Sequence, residues 1–329
     1  MITRIIVNNF KNFDLLKADF ERINIIKGRN GAGKTNLLEA VFISLNGHPF
    51  IRSFKPIQKD LKKPAIITAV IDNNTVLVRF DEKGKSLKLN SKQTTVVNLK
   101  KMFPCIDYSI NSFISLKSKD YLFSLIDRGI YAKNNKIIDK LVKYSKLQRI
   151  KRNILKENSD DKALNILNEE IHTLTAEISG LREELVKEIE KSVYNCYNEF
   201  YNQELKIEYE IVNLGKNIFE KEKQKRRILF SLKKDNFNIY LNGRKIQFSS
   251  VGERKIALLC IVLSIVKVYN ELNNMPVFLI DDLEGDLDRE RQKKAFETIT
   301  ELPNQILLTT LEAFEGYNTI DLGGLKQSG

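Results

Sequence analysis

Gly28-Arg29-Asn30-Gly31-Ala32-Gly33-Lys34-Thr35 is the stretch from which the rest of the chain can be read. It satisfies G-x-x-x-x-G-K-[ST] at every position. Its glycines let backbone N–H groups turn inward around phosphate oxygens. Lys34 supplies positive charge to the β- and γ-phosphates, and the Thr35 hydroxyl is a Mg²⁺ ligand. Gly28, Asn30, Gly31, Gly33 and Asn36 complete the candidate nucleotide contacts. The β-branched run INIIK precedes the loop and the helical run TNLLEAV follows it. The loop therefore empties onto a helix N-terminus, where unpaired N–H groups favour an anion. A Gly-rich turn without function is the bland alternative, and it would not need that context.

Outward from the loop, residues 1 to about 110 are strand-rich. MITRIIV, AIITAVI and TVLVRF are short β-branched runs split by turns such as Asp72-Asn73-Asn74 and Glu82-Lys83-Gly84. The helix that opens near Lys34 stops at Asn46-Gly47. From about 120 to 204 the pattern turns helical. Leu164, Leu167, Ile171, Leu174, Ile178 and Leu181 form an a/d seam. Ile137 to Leu155 carries a second series, with Leu141, Tyr144, Leu147, Ile150 and Ile154 at helical spacing. The pair predicts a helical hairpin projecting as a short arm, with Arg182, Glu183 and Lys187 on solvated faces. Strands return with LKIEYEIV, ILFSL and FNIYL, and Asn242-Gly243 predicts a hairpin turn to KIQF. The expectation is an α/β head, residues 1–115 and 205–329, with an inserted helical arm over 116–204.

The second motif is Val277-Phe278-Leu279-Ile280-Asp281-Asp282. Four apolar residues make a buried strand. Two carboxylates leave its C-terminal end, where α/β sheets bind ligands. Asp281 is placed to hold Mg²⁺ and Asp282 to polarise an attacking water. Adjacent acids at a strand end are often mere turn formers, so the P-loop upstream is what gives this pair weight.

Composition bounds the partners. Lys and Arg number 54 against 42 Asp and Glu, a net charge of +12. That balance favours polyanions, although a Lys-rich solubilising surface gives the same number. Cys105, Cys196 and Cys260 are scattered and form no CxxC, which argues against a disulfide framework or a Cys-based zinc site. No apolar run approaches the roughly 18–20 residues that span a bilayer. MITRIIVNNF reads as a first strand, not a signal peptide, so a cytoplasmic location and no membrane partner are expected.

The third motif, Phe248-Ser249-Ser250-Val251-Gly252-Glu253, opens a long apolar helix. A Ser there normally serves as an N-cap. The S-x-G-[EQ] pattern shortly before an apolar strand ending in Asp also resembles the signature of ABC-type ATPases. That resemblance implies that Ser250 and Gly252 meet the γ-phosphate held by a second subunit. With the loop Gly285-Asp286-Leu287-Asp288, it implies an ATP sandwich dimer in which Asp288 takes part.

The chain resembles the RecF family, SMC-like ABC ATPases that mediate DNA recombination. Asn9-Phe10-Lys11-Asn12-Phe13 is similar to the family's N-F-R-N-[YF]. Gly31 through Ala40 is similar to G-x-G-K-T-N-x-L-E-A, and Arg52-Ser53-Phe54-Lys55 to R-S-[FH]-R. YSKLQRIKRNILK, from Tyr144 to Lys156, is similar to the family's arm segment. Asp281-Asp282 through Leu287-Asp288 is similar to D-D-x-x-S-E-L-D. There are departures. The family's G-P-H-R-D-D stands here as Ser231-Leu232-Lys233-Lys234-Asp235-Asn236. Its F-x-P-E-D stands as Tyr108-Ser109-Ile110-Asn111-Ser112, without the acidic pair. Glu253-Arg254 replaces two glutamines.

The resemblance implies a weak, DNA-stimulated ATPase that dimerises around ATP and Mg²⁺ on double-stranded DNA near ssDNA–dsDNA junctions. It implies RecR/RecO-type mediator partners and a role in recombinase loading. Nine Lys or Arg lie between Lys221 and Lys245. Lys233 and Lys234, with Arg52 and Lys55, are the candidate DNA contacts. A transporter ATPase is disfavoured by the helical insertion and by the lack of His after ILLTT. A long-armed partner of a double-strand-break nuclease is disfavoured by the short arm and the absence of a zinc-hook CxxC. An OLD-type defence ATPase would need a following nuclease domain. A stand-alone defence ATPase with a separate effector is the alternative.

Overall fold

Helix α1 (Lys34–Asn46) is buried from Leu37 through Asn46. A helix buried on all sides must be covered on all sides, and two sheets and the short helix over Val96–Met102 do this. The first is antiparallel, in the order β2-β1-β4-β5-β6-β7. Its strands are β1 (Ile2–Phe10), β2 (Phe13–Asp19), β4 (Ala65–Ile71), β5 (Asn74–Asp81), β6 (Gly84–Leu89) and β7 (Lys92–Gln93). The second is wholly parallel, in the order β14-β3-β13-β12-β8. It comprises β3 (Ile23–Lys27), β8 (Cys105–Tyr108), β12 (Val277–Ile280), β13 (Ile306–Thr310) and β14 (Asn318–Asp321). Helix α1 touches β4 and β5 of one sheet and β8 and β13 of the other. Helices α2 (Val96–Met102) and α8 (Arg289–Thr300) complete this unit.

Strand burial follows from these positions. In β4 inward residues alternate with half-buried ones, as expected of a sheet packed on one face. In β12 and β13 every residue is buried, as in a parallel sheet. Because the second sheet is parallel, β3, β13 and β12 deliver their C-terminal ends to one edge. The P-loop leaves β3, the two carboxylates leave β12, and β13 lies between them.

The computed structural model describes residues 1–49, 57–108, 119–157, 161–212, 217–311 and 316–323. The chain packs as two units, Met1–Phe113 with Asn273–Gly329, and Ile114–Leu272. The sequence pattern places 205–272 with the head. By internal packing these residues group with the helices.

The second unit contains α3 (Lys119–Lys133), α4 (Lys136–Glu157), α5 (Asp161–Tyr201), β9 (Leu205–Glu210), α6 (Ile218–Lys225), β10 (Asn236–Leu241), β11 (Arg244–Lys245) and α7 (Val251–Glu271). The expected seam on α5 is present but broader. Asn168, Thr175, Ser179 and Arg182 are buried beside the seam residues. That width reflects packing on several neighbours: α3, α4, α7 and β9. The expectation that Arg182 lies on a solvated face is corrected accordingly, while Lys187 is exposed as expected. Arg182, expected on an open face, is 3% exposed. It holds Asp127 through two bonds, Nε to Oδ1 at 2.7 Å and Nη2 to Oδ2 at 2.9 Å. Its guanidinium also lies 4.6 Å from the Phe123 ring centroid.

A second correction concerns ILFSL, which is not a strand. Its backbone groups are taken by side chains. Glu222 Oε1 accepts from Leu229 N–H at 2.6 Å and Phe230 N–H at 2.7 Å. Gln148 Nε2 donates to the Phe230 carbonyl at 3.2 Å. Phe230 stacks on His172 of α5. The Asn242-Gly243 turn is as expected, with φ of 47° and 74° and Leu241 opposite Arg244. Its second strand ends at Lys245, and Ile246–Phe248 is a 3₁₀ turn.

Candidate functional site

Gly33 caps α1 with φ of 105°, and Gly31 has φ of 84°. Both lie in the left-handed region that favours glycine. Gly33 has a second reason: a Cβ there would sit 2.5 Å from Asn12 Nδ2 and 2.7 Å from Phe13 Cζ. Asn12 belongs to the β1–β2 turn. Its Nδ2 donates to the Ala32 carbonyl at 3.1 Å, and its Oδ1 accepts from Asn36 Nδ2 at 2.6 Å. Next to it, Lys11 forms an ion pair with Glu39, which is buried on α1. The turn thus clamps both the phosphate-binding loop and the helix behind it. Lys34 Nζ donates to the Gly28 carbonyl at 2.6 Å, so its charge lies over the loop.

At the end of β12, Asp281 is 3% exposed. Thr35 Oγ1 lies 2.8 Å from its Oδ2 and 3.1 Å from its Oδ1. Thr309 Oγ1 donates to Oδ1 at 2.8 Å. Thr309 in turn accepts from Asp282 N–H at 2.9 Å. Burial pushes the Asp281 carboxyl above its ordinary range, and the two threonine hydroxyls act against that push. Asp282 is half-buried with φ of 57°. A carboxylate in that strained conformation at the edge of a cleft is typical of functional positions.

These groups line a cleft of about 1360 Å³ within the first unit. Asn30, Gly31, Gly33, Lys34, Thr35, Asn36, Asp281 and Asp282 all face it. Its far wall carries Gln292 and Phe296 of α8. Glu284 supports that wall, accepting from Thr310 Oγ1 and, at 3.2 Å, from Leu311 N–H. Among the described residues no cluster of three His, Cys, Asp or Glu could hold a metal by itself. The Thr35–Asp281 pair fits Mg²⁺ nonetheless, since that ion takes one or two protein oxygens and completes its shell with phosphate and water.

The other sequence candidates fall elsewhere. Ser250 and Gly252 belong to the second unit. Ser250 is the N-cap of α7, and its reciprocal bonds with Glu253 make a complete capping box. Asp288 caps α8, accepting from Arg291 N–H at 2.9 Å. That bond is the first cause holding its carboxyl below the ordinary range. Lys233 pairs with Asp120 at 2.6 Å, and Lys234 is exposed. Arg52 and Lys55 lie outside the described residues. Sequence reasoning missed Asn12 and Thr309 as members of the site. Both stand inside recognisable motifs, but neither spacing nor residue type assigns a contact across the fold.

The P-loop, the paired acids at the neighbouring strand end and the two-sheet head define an ABC-type P-loop ATPase fold. The model of the RecF/RecN/SMC N-terminal domain family matches residues 1–320, and the chain belongs to that family. It is 29% identical to the DNA replication and repair protein RecF of Carboxydothermus hydrogenoformans, over 96% of each chain. It is 24% identical to the protein of the same name from Streptococcus suis, covering 94% of this chain and 92% of the relative. Among solved structures it is similar to the recombination mediator protein RecF bound to ATP, with a TM-score of 0.83 and 21% identity, over 98% and 96% of the two chains. An Smc head domain from Pyrococcus furiosus gives a TM-score of 0.51 at 15% identity, over 94% and 89%.

Proposed function

We propose that the chain is an ATP-dependent switch of recombinational DNA repair. Two copies close around ATP on duplex DNA near ssDNA–dsDNA junctions, and RecO/RecR-type mediators act with them in loading recombinase. The carrying observation is the Thr35–Asp281–Thr309 arrangement beside the P-loop, together with end-to-end similarity to RecF proteins.

Within this reading each residue has a defined task. The loop N–H groups and Lys34 bind the β- and γ-phosphates. Thr35 and Asp281 would hold Mg²⁺, which when bound neutralises phosphate charge. Asp282, half-buried beside them, orients and polarises water. Ser250 and Gly252 offer a helix N-terminus to the γ-phosphate held by the other copy, with Asp288 at the same interface. Hydrolysis is slow and serves release of the dimer. No helix among the described residues is long and apolar enough to cross a membrane.

Sedimentation of the full chain at micromolar concentration, with and without ATP, Mg²⁺ and duplex DNA, tests the proposal. The expected result is a monomer without nucleotide and a dimer with it, the dimer co-sedimenting with duplex. An unchanged mass in all conditions would overturn the switch.

A further inference from the structure

We propose that the strip Lys221–Arg227, on and just after α6, is a docking surface for the phosphate backbone of duplex DNA. The proposal rests on the DNA-binding reading above and adds where the contact is made.

The run Lys221-Glu222-Lys223-Gln224-Lys225-Arg226-Arg227 holds five cations and one acid. The structure separates them. Glu222 is fully buried while the other six are exposed. Its Oε2 lies 2.6 Å from Nζ of Lys151, which is also buried. Its Oε1 takes the backbone N–H groups of Leu229 and Phe230. The one acid within the run is therefore spent inside the fold, and Glu220, exposed one residue before the strip, is the other acid of α6. Among the described residues, the side chains of Lys221, Lys225, Arg226 and Arg227 make no ion pair. Lys233, by contrast, is paired with Asp120. Four cations without an ion pair among the described residues thus lie on and just after α6, in addition to the exposed Lys234 of the pair that the sequence suggests.

The same buried contacts make the strip rigid. Phe219 packs against Phe230, and the Lys151 ammonium lies 4.7 Å from the Phe219 ring centroid. A preorganised cationic surface loses less freedom on binding than a floppy tail.

An independent observation comes from the end of α6. Arg226 N–H bonds to the Lys223 carbonyl and Arg227 N–H to the Glu222 carbonyl, each at 3.2 Å. This is a Schellman cap, whose left-handed residue is usually glycine. Arg226 occupies it, with φ of 47°. Lys223 and Lys225 are accounted for by the negative end of the helix dipole. An arginine in the glycine position is not. It keeps a backbone strain that glycine would relieve, and what it gains is an exposed guanidinium suited to phosphate.

The test uses the full chain with ATP and Mg²⁺, and a fluorescein-labelled duplex followed by anisotropy between 50 and 200 mM KCl. The variants are Arg226→Gly alone, and Arg226→Gly combined with Lys221→Gln, Lys225→Gln and Arg227→Gln. The combined variant is expected to lose at least about tenfold in affinity. The slope of log K against log salt should shrink by about 0.9 for each phosphate contact removed. Arg226→Gly alone should bind severalfold more weakly while melting at the wild-type temperature or above. A folded combined variant with wild-type slope and affinity overturns the proposal and leaves DNA binding in place. If the combined variant does not fold, unchanged affinity of the single variant overturns it. Wild-type protein that fails to bind duplex overturns both this proposal and the DNA reading. Loss of binding to phosphatidylglycerol vesicles with an unchanged DNA slope assigns the strip to lipid and also overturns it.

Discussion

Thr35 Oγ1 reaches both oxygens of the Asp281 carboxylate, at 3.1 and 2.8 Å, across 246 positions of sequence. The contact joins the first turn of α1 to the end of β12, and Thr309 on the strand between them holds the same carboxylate at 2.8 Å. A single donor would leave the carboxylate free to rotate. Two donors on different elements fix its plane before any ligand arrives, and such prior ordering is where a positioned site gains over solvent.

Asp281→Asn should therefore stabilise the nucleotide-free protein while abolishing hydrolysis. Burial raises the folded-state pKa of Asp281 above its unfolded value. For an acid raised in this way, stability is fully present below the unfolded pKa and is lost as pH rises through the folded one. Asparagine never ionises. Its advantage in melting temperature should be absent at the acid end, open as pH rises through the raised pKa, and persist to neutrality. A tenfold weakening of carboxyl acidity on folding would correspond to about 1.4 kcal/mol. Melting curves at pH 4 to 8 check this. Parallel curves for the two proteins would remove burial as the dominant influence on Asp281.

Asn12→Ala should weaken ATP binding without unfolding the head. It deletes one bond to Ala32 and one to Asn36, each contributing about 0.5–1.5 kcal/mol. Together they come to about 1–3 kcal/mol, so a rise in the ATP dissociation constant of roughly 5- to 150-fold is expected if the whole loss is felt in binding, with far-UV circular dichroism unchanged. Asn12→Asp should be worse, because Ala32 loses its donor and a negative charge enters a phosphate site. Wild-type affinity in Asn12→Ala would make the clamp dispensable.

These residues show what the sequence carries and what it does not. The P-loop was legible in full because its chemistry is local: eight consecutive residues between a strand and a helix. Asp281 was legible because an all-apolar strand ending in acid is a one-dimensional pattern. Asn12 and Thr309 act through contacts between distant segments, and no window contains both ends. The same reason explains the helices. The seam on α5 could be read from its period, but Arg182 reads as surface until Asp127 and Phe123 are brought to it. ILFSL has the composition of a strand, yet Glu222 and Gln148 satisfy its backbone first. The RecF resemblance, carried by short motifs, supplied the family that the chain-wide match then showed.

Lys151→Ala should destabilise the second unit by about 3–5 kcal/mol, the usual cost of stranding one member of a buried ion pair. Lys151 and Glu222 are each 1% exposed in the side chain, so water cannot replace the lost partner. Chemical denaturation gives the number. A loss below about 1 kcal/mol would place this pair among solvent-screened ones.

The remaining prediction separates the two halves of the proposed composite site. Lys34→Ala removes the charge that lies over the phosphate loop, so ATP binding should fail. Ser250→Arg leaves the cleft of its own chain untouched but puts bulk and charge where the partner's γ-phosphate is proposed to sit. Ser250 is also an N-cap, and losing a cap costs about 1 kcal/mol. Ser250→Gly, which costs only a few tenths, is therefore the control for folding. Asp282→Asn should bind ATP and slow hydrolysis by at least about 100-fold, accumulating dimer, because the water loses its base. The Lys34→Ala and Ser250→Arg proteins should each be inactive alone. Mixed, they can form a heterodimer in which Lys34 of the Ser250→Arg chain faces Ser250 of the Lys34→Ala chain. That pairing makes one intact site, while the other carries both lesions. Differently tagged chains should then co-purify in the presence of ATP and Mg²⁺ and not in their absence. If Ser250→Arg hydrolyses ATP at the wild-type rate by itself, the site is complete within one chain and the sandwich is wrong.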